Sequence, residues 1–140
     1  MNIARFAIGD KTFVVRSQFV DRELEASQLI DIEHGPEWVE GLFQESGKPV
    51  IGLSLGKLLG VPHNACDAGV LVNIRGEKLV LMINKFLGYR DIQDCEVSSI
   101  EGLSDLEGLV TGAFELEGRT EYLMNLNGLM IGPILTRSHK

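Results

Sequence analysis

The stretch His63-Asn64-Ala65-Cys66-Asp67 puts an imidazole, a thiol and a carboxylate close together, the combination that zinc sites and thiol nucleophiles draw on. A structural zinc site needs four ligands in paired spacings, and the remaining candidates, Cys95, His34 and His139, stand alone in the chain. A nucleophilic cysteine needs a base and a group to orient that base, and nothing near Cys66 singles out either. The segment therefore predicts neither a metal centre nor a catalytic thiol. Gly52-Leu53-Ser54-Leu55-Gly56-Lys57 looks like a phosphate-binding loop, but that motif has four residues between its glycines and a hydroxyl after the lysine. Here the spacing is one residue short and Leu58 follows, so there is no magnesium ligand; the segment reads as a strand running into a short helix. No Gly-x-Gly-x-x-Gly occurs, which removes the usual dinucleotide fingerprint. Glu23, Glu25, Asp31 and Glu33 are scattered carboxylates on expected loops and edges and define no acid–base pair.

The bulk composition agrees with that absence of convergent chemistry. Lys and Arg number 13 against 20 for Asp and Glu, a formal net charge of −7 with no basic cluster, which disfavours binding to a nucleic-acid backbone. No segment approaches the roughly 20 apolar residues that span a bilayer, so no direct membrane insertion is expected. With only Cys66 and Cys95, a disulfide framework is not expected, and a cytosolic, reduced protein is. No cofactor is implied.

The elements that would have to position any site are strands. Short runs rich in Val, Ile, Leu and Phe are separated by Gly, Asp and Asn at hairpin spacing. Residues 4–8 and 12–16 flank Gly9-Asp10-Lys11, and residues 70–74 and 78–83 flank Arg75-Gly76-Glu77; both read as tight hairpins. A helix of one or two turns is expected after the strand at 50–53, with Ser54 as N-cap and Gly60 as stop. Residues 94–107 show no firm period. Trp38, the single tryptophan, is expected to fill the first lobe as Leu109 fills the second.

An internal repeat organises these strands. Residues 38–47 lie over 109–118 without a gap, at the offset of 71 that takes Gly41 to Gly112, Phe43 to Phe114 and Gly47 to Gly118. Further on, Leu53, Leu55, Leu58 and Leu59 meet Met124, Leu126, Leu129 and Met130. The upstream hairpin also recurs, with Asp10-Lys11 on Glu77-Lys78 at an offset of 67. Two duplicated β lobes sharing an apolar interface follow, with the crossing between them expected near residues 60–70. The four repeated glycines are expected at turns or close backbone approaches, Gly47 and Gly118 at positive φ.

Several motifs in this layout resemble one family. Phe6-Ala7-Ile8-Gly9 with Phe13-Val14-Val15 is similar to its opening; Glu37-Trp38-Val39-Glu40-Gly41-Leu42-Phe43, Gly47, Leu53-Ser54-Leu55 and Leu58-Leu59-Gly60 resemble its central signature. Leu79-Val80-Leu81-Met82-Ile83-Asn84, Leu87-Gly88, Val110-Thr111-Gly112 and Leu123-Met124-Asn125-Leu126 resemble its second half. The family is that of CheW-like domains, which couple chemoreceptors to the histidine kinase CheA. The resemblance implies an all-β domain over 1–140, built of two intertwined five-stranded SH3-like barrels with short helices. It also implies a non-enzymatic adaptor that binds the regulatory domain of a CheA-type kinase through barrel ends and the cytoplasmic tip of receptors near the groove between lobes. The chain departs from the family pattern at Gln44-Glu45-Ser46-Gly47, where Asn-Leu-Arg-Gly is usual, so that Ser46 replaces an arginine. Ser54 and Asn84 stand where Asp is usual, Arg16 where Pro is frequent and Arg22 where Glu is frequent.

Binding without a catalytic set has to come from apolar surface anchors. The candidate partner-binding residues are Phe19, Val20 and Leu24 after the first hairpin, Phe43, Gln44 and Ser46 beside the groove, and Phe86, Leu87 and Tyr89 after the matching strand of the other lobe. Any of these can instead be core, and for Phe43 the match with Phe114 makes the core the better assignment. A competing function is a β module that binds a different protein or a small ligand; a third, a small thiol or metal enzyme using His63 and Cys66, is disfavoured by the missing base and ligands.

Overall fold

Dipeptide turns set the strand framework. At Ser46-Gly47, Arg75-Gly76 and Glu117-Gly118 both residues have positive φ (53° and 78°, 55° and 87°, 53° and 81°), the twist that a two-residue hairpin requires. Gly9-Asp10 closes a fourth hairpin, with Gly9 at φ 59°. In the computed structural model, which describes residues 1–32, 37–62, 64–93, 98–99 and 109–126, these turns join β1 (Asn2–Ile8) to β2 (Lys11–Arg16) and β4 (Val39–Glu45) to β5 (Lys48–Ser54). They likewise join β6 (Ala68–Ile74) to β7 (Glu77–Ile83) and β10 (Val110–Leu116) to β11 (Arg119–Met124). Single strands β3 (Val20–Glu25) and β8 (Lys85–Asp91), the short β9 (Ser98–Ser99) and the helix α1 (Leu55–Leu59) complete the described elements. The Ser54 side chain accepts a hydrogen bond from the Lys57 amide at 3.3 Å, and Gly60 ends α1 at φ 70°, as the sequence predicts. Among the described residues no helix is long and apolar enough to cross a membrane.

The hairpins are dealt out between two sheets in an order the repeat does not suggest. One sheet runs β8-β1-β2-β11-β10-β9, and the other β3-β6-β7-β5-β4. The first hairpin therefore joins the last one, through the parallel pair β2–β11, while β6–β7 joins β4–β5 through the parallel pair β5–β7. The middle lobe is continuous from β3 to β7, and the terminal lobe is assembled from the chain on either side of it. The chain crosses between sheets at the 3₁₀ turn Ser17–Phe19 and at Asn84. Residues 60–70, the expected crossing, instead connect α1 to β6 within one lobe. That expectation rested on Pro62 and a weak pattern, which mark a loop but not its destination.

The 71-residue repeat appears in the register itself. Bulges fall at Val39/Gly41 and at Val110/Gly112, Phe43 and Phe114 are both buried, and the Trp38 carbonyl accepts from the Ser54 amide as the Leu109 carbonyl accepts from that of Asn125, both at 2.7 Å. The bridge Ile30–Leu42 has its counterpart in Ser98–Ala113. For the upstream hairpins the offset is 66, not 67: Ile8 pairs with Lys11 as Ile74 pairs with Glu77, so Lys11 matches Glu77. Leu129 and Met130, most of 94–107 and His34 lie outside the described residues.

Alternation of side chains sorts the apolar residues into three cores. Ala4, Phe6, Ile8, Phe13 and Val15 from one sheet meet Val70, Val72, Ile74, Leu79, Leu81 and Ile83 from the other, together with Leu55, Leu58 and Leu59 of α1. Trp38 is half-buried against this central core instead of filling a single lobe. The opposite faces carry a smaller core each: Leu24, Phe43, Val50, Leu71, Val80 and Met82 in the middle lobe, and Ile3, Val14, Ile92 and Phe114 in the terminal lobe. Full burial of such side chains contributes about 1.5–3 kcal/mol each relative to exposure. Each sheet curls until its outer strands meet: Leu24 of β3 and Phe43 of β4 share a core, and Arg22 pairs with Glu45 across the same gap. In the terminal lobe Arg90 of β8 pairs with Glu117 beyond β10 at 3.1 Å. Backbone bridges add to these side-chain contacts in closing the barrel-like lobes: the chain beyond β3 meets β4 at Ile30–Leu42, and β9, beyond β8, pairs with β10.

A Cβ on Gly41 would lie 2.3 Å from the Ile30 carbonyl oxygen, which accepts the Leu42 amide at 2.8 Å. Gly47 has open space around it and only its positive φ to restrict it. Gly41→Ala is expected to cost about 3 kcal/mol, because it breaks the bridge between Ile30 and Leu42, and Gly47→Ala about 1 kcal/mol. Urea unfolding of the two variants checks the order; equal losses would show that the close approach at Gly41 carries no weight.

Candidate partner-binding surface

The residues of β8 owe their exposure to a bulge. Against β1 the register runs Arg5↔Gly88 and then Phe6↔Phe86, which leaves Leu87 as the extra residue. Residues three apart in a regular strand point to opposite faces, and a bulge restores them to one side. Phe86 and Tyr89 accordingly meet edge to face, with ring centroids 5.4 Å apart and an interplanar angle of 72°. Phe86 packs on the central core, Leu87 is half-buried, and Tyr89 is 59% exposed. The expected site residues on this strand thus form one patch with a buried foot and an exposed tip.

The other candidates divide into three places. Phe19 and Val20 sit at the crossing from β2 to β3, half-buried against the same central core as Phe86. Phe19 also lines a cavity of about 390 Å³ with Arg16, Gln18, Met124 and Asn125. Gln44 and Ser46 are exposed on the β4–β5 hairpin, Ser46 within the turn itself. Leu24 and Phe43, expected as anchors, are 6% and 2% exposed in the middle lobe's own core. They cannot reach a partner, because inward curling of the sheet turns both against each other's strand. In β3 only Leu24 is apolar and buried, and the neighbouring Asp21, Arg22, Glu23 and Glu25 are exposed.

Two polar constellations escape a motif search. Arg5 donates from Nε and Nη2 to Glu121 Oε1 and Oε2 at 2.9 and 2.7 Å, a bidentate pair in which Glu121 is 1% exposed. The hydrogen bond to Glu121 raises the Arg5 guanidinium above its ordinary value. A cation stabilised this way stays charged at every pH below that range, so Arg5 keeps its charge under physiological conditions. Asn84, at the second crossing, accepts the Gly9 amide on Oδ1 at 2.8 Å and donates from Nδ2 to the Asn64 and Ala65 carbonyls, both at 3.1 Å. An aspartate there would accept from Gly9 but could not donate to the two carbonyls. The repeat holds a clue to the first constellation, since Glu121 and Arg5 match the apolar Val50 and Leu71; Asn84 carries no comparable signal.

Cys66 is half-buried against the middle lobe's core, Asp67 is exposed, and His63 lies outside the described residues. Among the described residues no group of three or more His, Cys, Asp or Glu is placed to hold a metal ion.

A family model described as CheW-like domain matches residues 2–131. In three dimensions the chain is similar to the scaffolding protein TtCheW from Thermoanaerobacter tengcongensis, with a TM-score of 0.79 at 17% identity, over 89% of this chain and 88% of that one. No curated protein matches the chain.

Burial, then the nearby Glu40 and Asp67 carboxylates, push the Cys66 thiol up to about 11. The thiolate is the reacting species, so a raised value lowers reactivity at neutral pH. Alkylation of Cys66 at pH 8, followed by peptide-resolved mass spectrometry, is expected to run about 100-fold slower in the folded chain than in urea. Equal rates would mean that the thiol is exposed and ordinary.

Proposed function

This chain belongs to the CheW-like domain family, and on that premise we propose that it is a non-enzymatic cytoplasmic signalling adaptor. It holds the regulatory domain of a CheA-type histidine kinase and the cytoplasmic tip of a chemoreceptor, or of a related sensor in a motility array, in one assembly. The observation that carries this reading is the extent of the family match, which spans strands of both lobes from β1 to β11. A two-lobed body offers two separate surfaces, as a coupler needs.

The anchors are Tyr89, Leu87 and Phe86 on β8, flanked at the crossing by Phe19 and Val20. An aromatic ring fixed at its base and exposed at its tip loses little freedom on binding, which is why such residues dominate interfaces. Gln44 and Ser46 lie on the other lobe and form a second, polar contact. With Ser46 in place of the family's arginine, that contact lacks a charge, so the apolar patch on β8 carries more of the affinity.

Tyr89 is exposed, so Tyr89→Asp tests the surface without disturbing a core, whereas charges at Phe19 or Val20 would strike the central packing. Titration calorimetry with the regulatory domain of the kinase and with a receptor-tip fragment from the same cells is expected to show at least about a tenfold weaker Kd for one of them. Unchanged affinity for both would remove β8 from the interface. A folded wild-type chain that binds neither would overturn the adaptor reading.

A further inference from the structure

The two hairpins β1–β2 and β6–β7 are near-equivalent parts with two near-equivalent places to go. Each docks its second strand, in parallel, on the second strand of another hairpin: β2 on the downstream β11, and β7 on the upstream β5. Offsets of 66 and 71 superpose the two ladders, carrying Val14↔Leu123 onto Val80↔Gly52. Backbone hydrogen bonding therefore cannot tell one slot from the other. The central core does not discriminate either, because both hairpins present a continuous apolar face to it. Loop closure grows only slowly with length, so connectivity is a weak guide.

The lobes differ on their inner faces. The middle lobe has Leu71 on its hairpin and Val50 on its docking strand, both in one apolar core. The matching positions of the terminal lobe are Arg5 and Glu121, joined by two hydrogen bonds. In the exchanged arrangement Arg5 would face Val50 and Leu71 would face Glu121, so that the carboxylate would be buried without a partner and the half-buried guanidinium would lose its own. An unpaired buried charge is strongly destabilising, even though a buried pair by itself adds little over an apolar pair.

We propose that the Arg5–Glu121 pair, with its buried carboxylate, is a sorting device, which directs the first hairpin to β11 and excludes it from β5. The pair acts through what it forbids.

The test uses the full chain, refolded by dilution from urea and resolved by native electrophoresis and amide NMR spectra. Wild type is expected to return one species. Arg5→Leu combined with Glu121→Val copies the middle lobe's pair and makes the slots alike, so the native fraction is expected to fall towards about one half. Adding Leu71→Arg and Val50→Glu moves the ion pair to the other lobe and is expected to restore a single native species. A double variant that refolds to one species at wild-type yield overturns the proposal. A fourfold variant as heterogeneous as the double overturns it too, since the loss would then come from packing alone.

Discussion

A hairpin that is apolar on both faces has to be covered twice, and this molecule contains two such hairpins. Ile3, Ala4, Phe6, Phe13, Val14 and Val15 of the first, and Val70, Leu71, Val72, Leu79, Val80, Leu81 and Met82 of the second, are buried on alternating sides. One side of each lies inside its own curled sheet, and the other meets the opposite hairpin. Such strands read as near-continuous apolar runs and cannot tolerate water on either face. The lobes are therefore not separable units: parting them would expose the largest core in the molecule.

From that double burial follows the interleaving of the chain. The hairpins have to lie back to back, yet each also needs further strands to cover its inner face. Supplying those strands from the other side of the sequence ties the lobes together covalently, at the 3₁₀ turn Ser17–Phe19 and at Asn84. Asn84 reinforces the junction with three hydrogen bonds to the Gly9 turn and the 64–65 backbone. The Gly9 turn is seated closely on that connection, since a Cβ at Gly9 would lie 2.1 Å from the Pro62 carbonyl oxygen. Rigid placement of one lobe against the other suits the adaptor role proposed above, because preorganised surfaces lose less entropy on association.

The inner faces are where the duplicated halves part company chemically. One lobe is packed with Leu71, Val50 and Phe43, while the other accommodates a guanidinium and a carboxylate in matching places. Their outer strands differ as well. Charges protect β3, with Arg22 and Asp21 paired to Glu45 and Lys78. On β8 the equivalent places carry Phe86, Leu87 and an exposed Tyr89. A duplicated scaffold thus keeps its central core symmetric and spends its asymmetry on pairing and surface.

Much of the local structure was legible in the residues. Gly47, Gly76 and Gly118 mark hairpins because two-residue turns need positive φ; Ser54 and Gly60 mark the ends of α1 because capping is local; the 71-residue offset marks β4–β5 and β10–β11 because equal registers need equal spacing. The exposed Tyr89 on β8 falls among apolar residues that the sequence already places after a strand. Partner strands, by contrast, were settled only by tertiary structure: the crossings at 17–19 and 84 depend on which sheet has room for the next strand, and a loop at 60–70 does not carry that information. Leu24 looks the same in sequence as Phe19 and Phe86, and only the curl of the sheet decides which is enclosed, whereas the match with Phe114 already pointed Phe43 to the core. Arg5 and Glu121 read as two ordinary charges 116 residues apart, and they become a bidentate pair because β2, lying between their strands, brings them over one face. Periodicity along a chain determines what each strand is; only the closing of the sheets determines what it faces.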